Sequence, residues 1–117
     1  MDAIVITGPT ASGKSELSFK LAELINGEII RADSALVYRG LDIGTAKPEK
    51  FVQDKLKHHL LDIRDPSEIY TVANFRNDAL RTVEEIKGRG KGPIISGGTM
   101  LYLKALREGL ADLPAAN

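Results

Sequence analysis

A parallel α/β sheet flanked by helices is what this sequence predicts, and three observations predict it. A short apolar run, Ala3-Ile4-Val5-Ile6-Thr7, leads into the glycine-bearing octapeptide Gly8-Pro9-Thr10-Ala11-Ser12-Gly13-Lys14-Ser15. Apolar residues then recur at helical spacing, and a second strand-like run, Glu28-Ile29-Ile30-Arg31, follows. Down the rest of the chain strand-like runs keep alternating with helical patterns, the order from which parallel sheets are built. The octapeptide fits G-x-x-x-x-G-K-[ST] at every fixed position and stands where a strand hands over to a helix, the context the motif needs. The class is therefore a P-loop NTPase-like sheet.

The loop's chemistry is anion capture. Gly8 and Gly13 let the backbone bend tightly, so that successive N–H groups converge on phosphate oxygens. The first turn of the helix behind them adds unpaired N–H donors and the positive end of its dipole. Lys14 would reach the outer phosphate, and the Ser15 hydroxyl would ligate Mg²⁺. A diphosphate or triphosphate is the expected ligand.

The elements follow in order. The run over 3–7 is continuous and apolar, as expected of a strand covered on both faces. Leu17, Leu21, Leu24 and Ile25 form the stripe of the first helix, which Asn26-Gly27 stops. The strand over 28–31 ends at Ala32-Asp33-Ser34, which places Asp33 at the carboxyl edge beside the phosphate loop. Residues 34–57 are less regular, with a short helix opening at Pro48-Glu49-Lys50 and carrying Phe51, Val52 and Leu56. His58-His59-Leu60-Leu61-Asp62-Ile63 reads as a third strand. Its two histidines point to opposite faces and lack further ligands, so a metal role is disfavoured. After the turn Arg64-Asp65-Pro66, Thr71 caps a helix with the stripe Val72, Phe75, Ala79, Val83 and Ile86, ended by Gly88, Gly90 and Gly92. Pro93-Ile94-Ile95-Ser96 is the fourth strand. Gly97-Gly98-Thr99 returns to the ligand edge, and Thr99 can cap a helix over 100–107 that is apolar on most sides. Residues 109–117 carry no further element.

Composition bounds the function. The 117 residues suit one domain, with ordinary apolar (43%) and charged (27%) fractions. Sixteen acidic and sixteen basic residues cancel, so no basic excess advertises nucleic acid. Without cysteine there is neither a disulfide framework nor a thiolate zinc site. No leader pattern and no apolar run of membrane-spanning length occurs, and the expected location is cytoplasmic. The D-x-x-G and N-K-x-D sequences of regulatory GTPases are missing, and the late strand ends without the acid of a nucleotide hydrolase. Asp33, Ser34, Thr99 and the loop are the polar groups that converge on the edge. On spacing alone, turn cap and catalytic base fit Asp33 equally well, and capping by itself would explain Thr99.

Four blocks carry a resemblance. The octapeptide is followed by Asp33-Ser34-Ala35-Leu36-Val37-Tyr38-Arg39-Gly40-Leu41-Asp42-Ile43-Gly44-Thr45-Ala46-Lys47-Pro48. Later come His58-His59-Leu60-Leu61-Asp62-Ile63-Arg64-Asp65-Pro66 and Gly97-Gly98-Thr99-Met100-Leu101-Tyr102. In this order they resemble the amino-terminal part of the tRNA dimethylallyltransferase (tRNA isopentenyltransferase) family. The resemblance implies that residues 8–15 (Gly8, Pro9, Thr10, Ala11, Ser12, Gly13, Lys14, Ser15) grip the diphosphate of dimethylallyl diphosphate rather than ATP. It implies transfer of the dimethylallyl group to N6 of an adenosine beside the anticodon of tRNA, with Mg²⁺ as cofactor. Asp33 then matches the general base and Thr99 a hydroxyl at the reacting centre. Asp33, Ser34, Ala35 and Leu36 fall in the segment that contacts tRNA, and the family's enzymes are expected to be monomeric.

Family members are longer, so residues 1–117 read as the prenyl-diphosphate-binding core, with the insertion domain and C-terminal part absent. A Q-R-L-S-R-like segment of the tRNA grip is absent with them. An adenylate isopentenyltransferase, a P-loop small-molecule kinase and a truncated, non-catalytic diphosphate-binding fragment are the alternatives.

Overall fold

A computed structural model describes residues 4–6, 14–40 and 50–111. Among them β1 (Ile4–Ile6), β2 (Gly27–Arg31), β3 (His58–His59) and β4 (Gly92–Ser96) form one parallel sheet in the order β1-β4-β2-β3. Four helices, α1 (Lys14–Ile25), α2 (Lys50–Lys55), α3 (Val72–Gly88) and α4 (Met100–Ala111), complete the described fold. The expected α/β class is what the chain adopts.

The two central strands are buried along their whole length, with Ile29, Ile30, Ile94 and Ile95 at their centres and two charges, Glu28 and Arg31, enclosed in β2. Their alternating side chains make two cores. Ile29 and Ile94 pack with Ala22 of α1 and with Leu56. Ile30 and Ile95, one residue on, pack with Phe75, Ala79, Val83 and Ile86 of α3 and Tyr102, Leu103 and Leu106 of α4. The rings of Phe75 and Tyr102 stack at 4.2 Å between centroids. The α3 stripe is the one its periodicity predicts, and Thr71 caps it in a reciprocal box with Asn74.

Three expectations are corrected. The α1 stripe is rotated: Leu24 is 80% and Leu17 50% exposed, whereas Ser18 and Ala22 are buried. Small side chains at i and i+4 share one helix face and let α1 lie close to the sheet. The third strand is two residues long, not six, because Leu60 (φ 62°) and Asp62 (φ 57°) adopt left-handed backbone that no strand contains. Beyond it the chain runs beside residues 36–39, where Asp62 N–H donates to the Leu36 carbonyl at 2.9 Å and Ile63 N–H to that of Val37 at 2.8 Å. Finally, the last helix continues past 107 to Ala111. Gly109 is a packing residue within it rather than a stop, since a Cβ there would stand 2.9 Å from Leu80 Cδ1 on α3. Met100 and Leu101 on α4 stay exposed, as does Val5 on β1, so the helix is only half covered. Among the described residues no helix is long and apolar enough to cross a membrane.

At the amino end of the sheet Glu28 is enclosed and doubly paired. Arg89 donates to it through Nη2 (2.6 Å) and Nε (3.2 Å), and His59 Nε2 lies 2.6 Å from Oε1. His58 hydrogen-bonds the Leu56 carbonyl at 2.7 Å, so both histidines have structural roles. Burial alone would raise the Glu28 pKa, but hydrogen bonds from Arg89 and His59 outweigh it and hold the carboxyl below its usual 4.5. A depressed carboxylate contributes stability above the unfolded-state value and loses it as pH falls through the folded one. Thermal melts of the wild type should therefore decline below about pH 4.5. Glu28→Gln should be destabilised by about 2 kcal/mol at neutral pH, at the modest end because Arg89 is solvent-screened, and should decline less steeply in acid. Equal acid slopes in the two proteins would assign the acid sensitivity elsewhere.

Candidate active site

Parallel pairing sets three strand ends level. Ile6 of β1 is in register with Ser96 of β4, and Ser96 with Arg31 of β2. Whatever leaves these strands therefore leaves at one edge, the carboxyl edge where such sheets bind ligands. The carboxyl end of β1, Ile6, lies at that edge, and the next described element, α1, begins at Lys14. The phosphate-loop residues Gly8, Pro9, Thr10, Ala11, Ser12 and Gly13 lie outside the described residues. Lys14 and Ser15 open α1.

Asp33 stands two residues beyond β2 and Thr99 three beyond β4, and the structure brings them together. Ala32 N–H donates to the Ser96 carbonyl (3.0 Å), and Thr99 N–H donates to the Ala32 carbonyl (3.1 Å), extending the β2–β4 contact past the strands. Close approach is possible because residue 97 is glycine. A Cβ there would sit 2.4 Å from the Ala32 carbonyl oxygen. This contact places the Asp33 carboxylate against the β4–α4 turn, where Oδ1 accepts the Gly98 N–H at 3.0 Å. Oδ2 accepts from Arg31 Nη2 at 2.6 Å. The carboxylate is thus fixed through both oxygens, with 15% of its side chain still exposed. It is not a local turn cap.

Thr99 also departs from plain capping. Its carbonyl accepts the Leu103 N–H as the first bond of α4 (3.1 Å), while its hydroxyl accepts the Ser34 N–H (2.9 Å) and donates to Ser34 Oγ (3.4 Å). Side chains from two loops therefore lock each other at the edge. Ser34 and Ala35 are exposed beside Asp33, and Leu36 is buried beneath them at 2%. Of that segment, Ser34 and Ala35 offer surface to a partner.

Arg31, Ser96 and Ser18 were not singled out by sequence reasoning. Arg31 is 1% exposed, and its Nη1 lies 3.4 Å from Ser96 Oγ, which also accepts from Ser18 Oγ of α1 at 3.2 Å. The sequence offered no clear signal for them, since an arginine at the end of a strand ordinarily marks arrival at solvent, whereas here the strand is buried throughout and the charge needs a partner. Chemically, the edge combines an oriented carboxylate with two hydroxyls, and such a carboxylate can accept a proton from a nucleophile.

Comparison with known proteins identifies the family. The IPP transferase family model matches residues 36–117. A tRNA dimethylallyltransferase of Bordetella avium is 57% identical over 114 residues, and one of Methylococcus capsulatus is 52% identical. The match takes in 97% of this chain but 36% of either relative, so the chain spans about a third of their length. The tRNA isopentenylpyrophosphate transferase of Bacillus halodurans superposes with a TM-score of 0.88 at 45% identity, over 99% of this chain and 38% of that one. A eukaryotic dimethylallyltransferase acting on tRNA superposes at 0.84 with 39% identity, over 91% of this chain and 27% of its own.

Proposed function

Because this chain belongs to the IPP transferase family, we propose that it forms the prenyl-diphosphate-binding and base-bearing part of a tRNA dimethylallyltransferase. The observation that carries the reading is the Asp33 carboxylate, held through both oxygens at the edge where β1, the strand that precedes the phosphate motif in the sequence, also ends. In the reaction the N6 lone pair of an adenosine beside the tRNA anticodon attacks the allylic carbon of dimethylallyl diphosphate. The carbon–oxygen bond breaks, diphosphate leaves with its electron pair, and the N6 proton passes to Asp33. The exocyclic amine is a weak nucleophile, so a carboxylate within reach assists it most as the new bond forms. Thr99 and Ser34, locked together beside Asp33, would line the reacting centre. Ser34 and Ala35 would face the RNA, whose target base leaves its stack more cheaply from a loop than from a duplex.

The loop over 8–15 would hold the diphosphate, with Lys14 on its outer phosphate. These interactions strengthen as the leaving group gains charge, so they favour the transition state over the ground state. Mg²⁺ would be held by the Ser15 hydroxyl, a hard oxygen donor of the kind it takes, and supplies charge neutralisation on the departing diphosphate. The cytoplasm is the proposed setting, where tRNA and its modifying enzymes meet.

The loop assignment is tested directly. Lys14→Ala is expected to weaken dimethylallyl diphosphate binding by about 2 kcal/mol, roughly thirtyfold, in a calorimetric titration. Unchanged affinity would remove Lys14 from the phosphate site. The transfer itself is read by incubating a full-length context, residues 1–117 continued by the remainder that the relatives carry, with labelled dimethylallyl diphosphate and unmodified tRNA. Label should enter the tRNA. Transfer of a phosphoryl group from ATP to a small molecule would instead overturn the reading in favour of a kinase.

A further inference from the structure

Arg31 is a buried cation in a strand that neither the fold nor the phosphate loop requires to be charged. Its side chain is 1% exposed, in the layer where Ile29 and Ile94 pack beneath α1. A buried guanidinium is costly unless it is paired and hydrogen-bonded, and an apolar residue at such a place is often as good or better for stability. Its hydrogen bonding is uneven. The contact to Asp33 Oδ2 is short at 2.6 Å and the one to Ser96 Oγ long at 3.4 Å, while Nε has no hydrogen-bond partner among the described residues. A group serving stability alone would be expected to satisfy all its donors. This one is committed to a single carboxylate.

The geometry shows what that commitment does. Asp33 lies past the end of β2, where a side chain has rotamers to choose between. Arg31 holds one oxygen from beneath and the Gly98 amide holds the other from the side, which leaves one orientation of the carboxylate plane. Arg31 is itself steadied by Ser96, which Ser18 contacts from α1, the helix that Lys14 and Ser15 open. The carboxylate is thereby referenced to the same helix as the phosphate motif. We infer that Arg31 is a positioning residue of the transfer reaction, holding Asp33 in the orientation from which it receives the proton of the incoming amine. The inference rests on Asp33 being the base. Arg31 acts through Asp33 and carries no share of diphosphate binding.

The test is a double-mutant cycle in the full-length context, with kcat and KM measured for wild type, Arg31→Met, Asp33→Asn and the double variant. Arg31→Met should lower kcat by roughly ten- to a hundredfold, the usual cost of losing reactive geometry, with KM for dimethylallyl diphosphate within about twofold. In the Asp33→Asn background the same change should move turnover by less than about twofold, because there is no longer a base to position. Arg31→Lys, which keeps the cation and one donor, should recover part of the loss. Should Arg31→Met not fold, Arg31→Lys carries the cycle, with a lowered kcat expected only when Asp33 is present. Equal losses in both backgrounds, or an unchanged kcat in the single variants of Arg31, would overturn the inference. Unchanged turnover in Asp33→Asn alone would instead overturn the assignment of the base, and the role of Arg31 with it.

Discussion

Asp33→Asn is expected to cut turnover by roughly two to four orders of magnitude in a full-length context, the usual worth of a positioned general base. The amide is isosteric with the carboxylate, and its oxygen can still accept from either Arg31 or the Gly98 amide, while its NH2 group faces the other donor, so one of the two contacts is kept and one is lost. What is lost with it is the capacity to take a proton. Binding of dimethylallyl diphosphate should survive, since the proposed role of Asp33 is to take a proton and not to hold the diphosphate, and its contacts among the described residues are to Arg31 and Gly98. Single-turnover assays separate the two effects. A rate within about threefold of wild type would show that the carboxylate is a brace between β2 and the β4–α4 turn and nothing more.

Gly97→Ala should have the largest effect on folding. The added methyl would meet the carbonyl oxygen, carbonyl carbon and Cα of Ala32 at 2.4, 2.5 and 2.8 Å, all backbone, so no side-chain rotation relieves the clash. The strand ends must part, breaking the bonds from Thr99 N–H to Ala32 and from Gly98 N–H to Asp33. A loss of about 3 kcal/mol is expected in urea denaturation, the upper range for overpacking a tight site. Any folded remainder should have lost the fixed carboxylate, so its turnover should fall further than its folded fraction. A denaturation midpoint like that of the wild type would show that the two strand ends separate without cost.

Much of this was legible in the sequence, and for identifiable reasons. The phosphate motif is a matter of letters and context. The position of Asp33 and Thr99 at one edge was legible because each follows a strand-like run, and parallel pairing sends both run ends to the same side, whereas spacing alone left their roles open. Arg31 was not legible. A charge at the end of a strand normally signals arrival at solvent, and only the fold reveals that Asp33 and Ser96 enclose it. The shortness of β3 was hidden because its interruption uses Leu60 and Asp62 in left-handed backbone instead of glycine. The continuation of α4 through Gly109 was hidden for another reason: a glycine placed for contact with α3 has the same letter as one that ends a helix. In α1, Ser18 reads as polar and outward, yet its hydroxyl has a buried partner in Ser96.

Strand order has a consequence for how the molecule comes into being. The strand between β1 and β2 is β4, the last of the four to be made, and Ile4 must wait for Ile94 to find its partner. At bacterial or eukaryotic elongation rates that interval is on the order of ten seconds. Throughout it two isoleucine-rich segments are without the neighbour that covers their edges, the condition in which nascent chains recruit chaperones or aggregate. Asp33 likewise has no Gly98 to meet until that last strand and its turn have emerged. Translation therefore delivers Asp33 long before Gly98, and the contact between them forms only once β4 has come between β1 and β2.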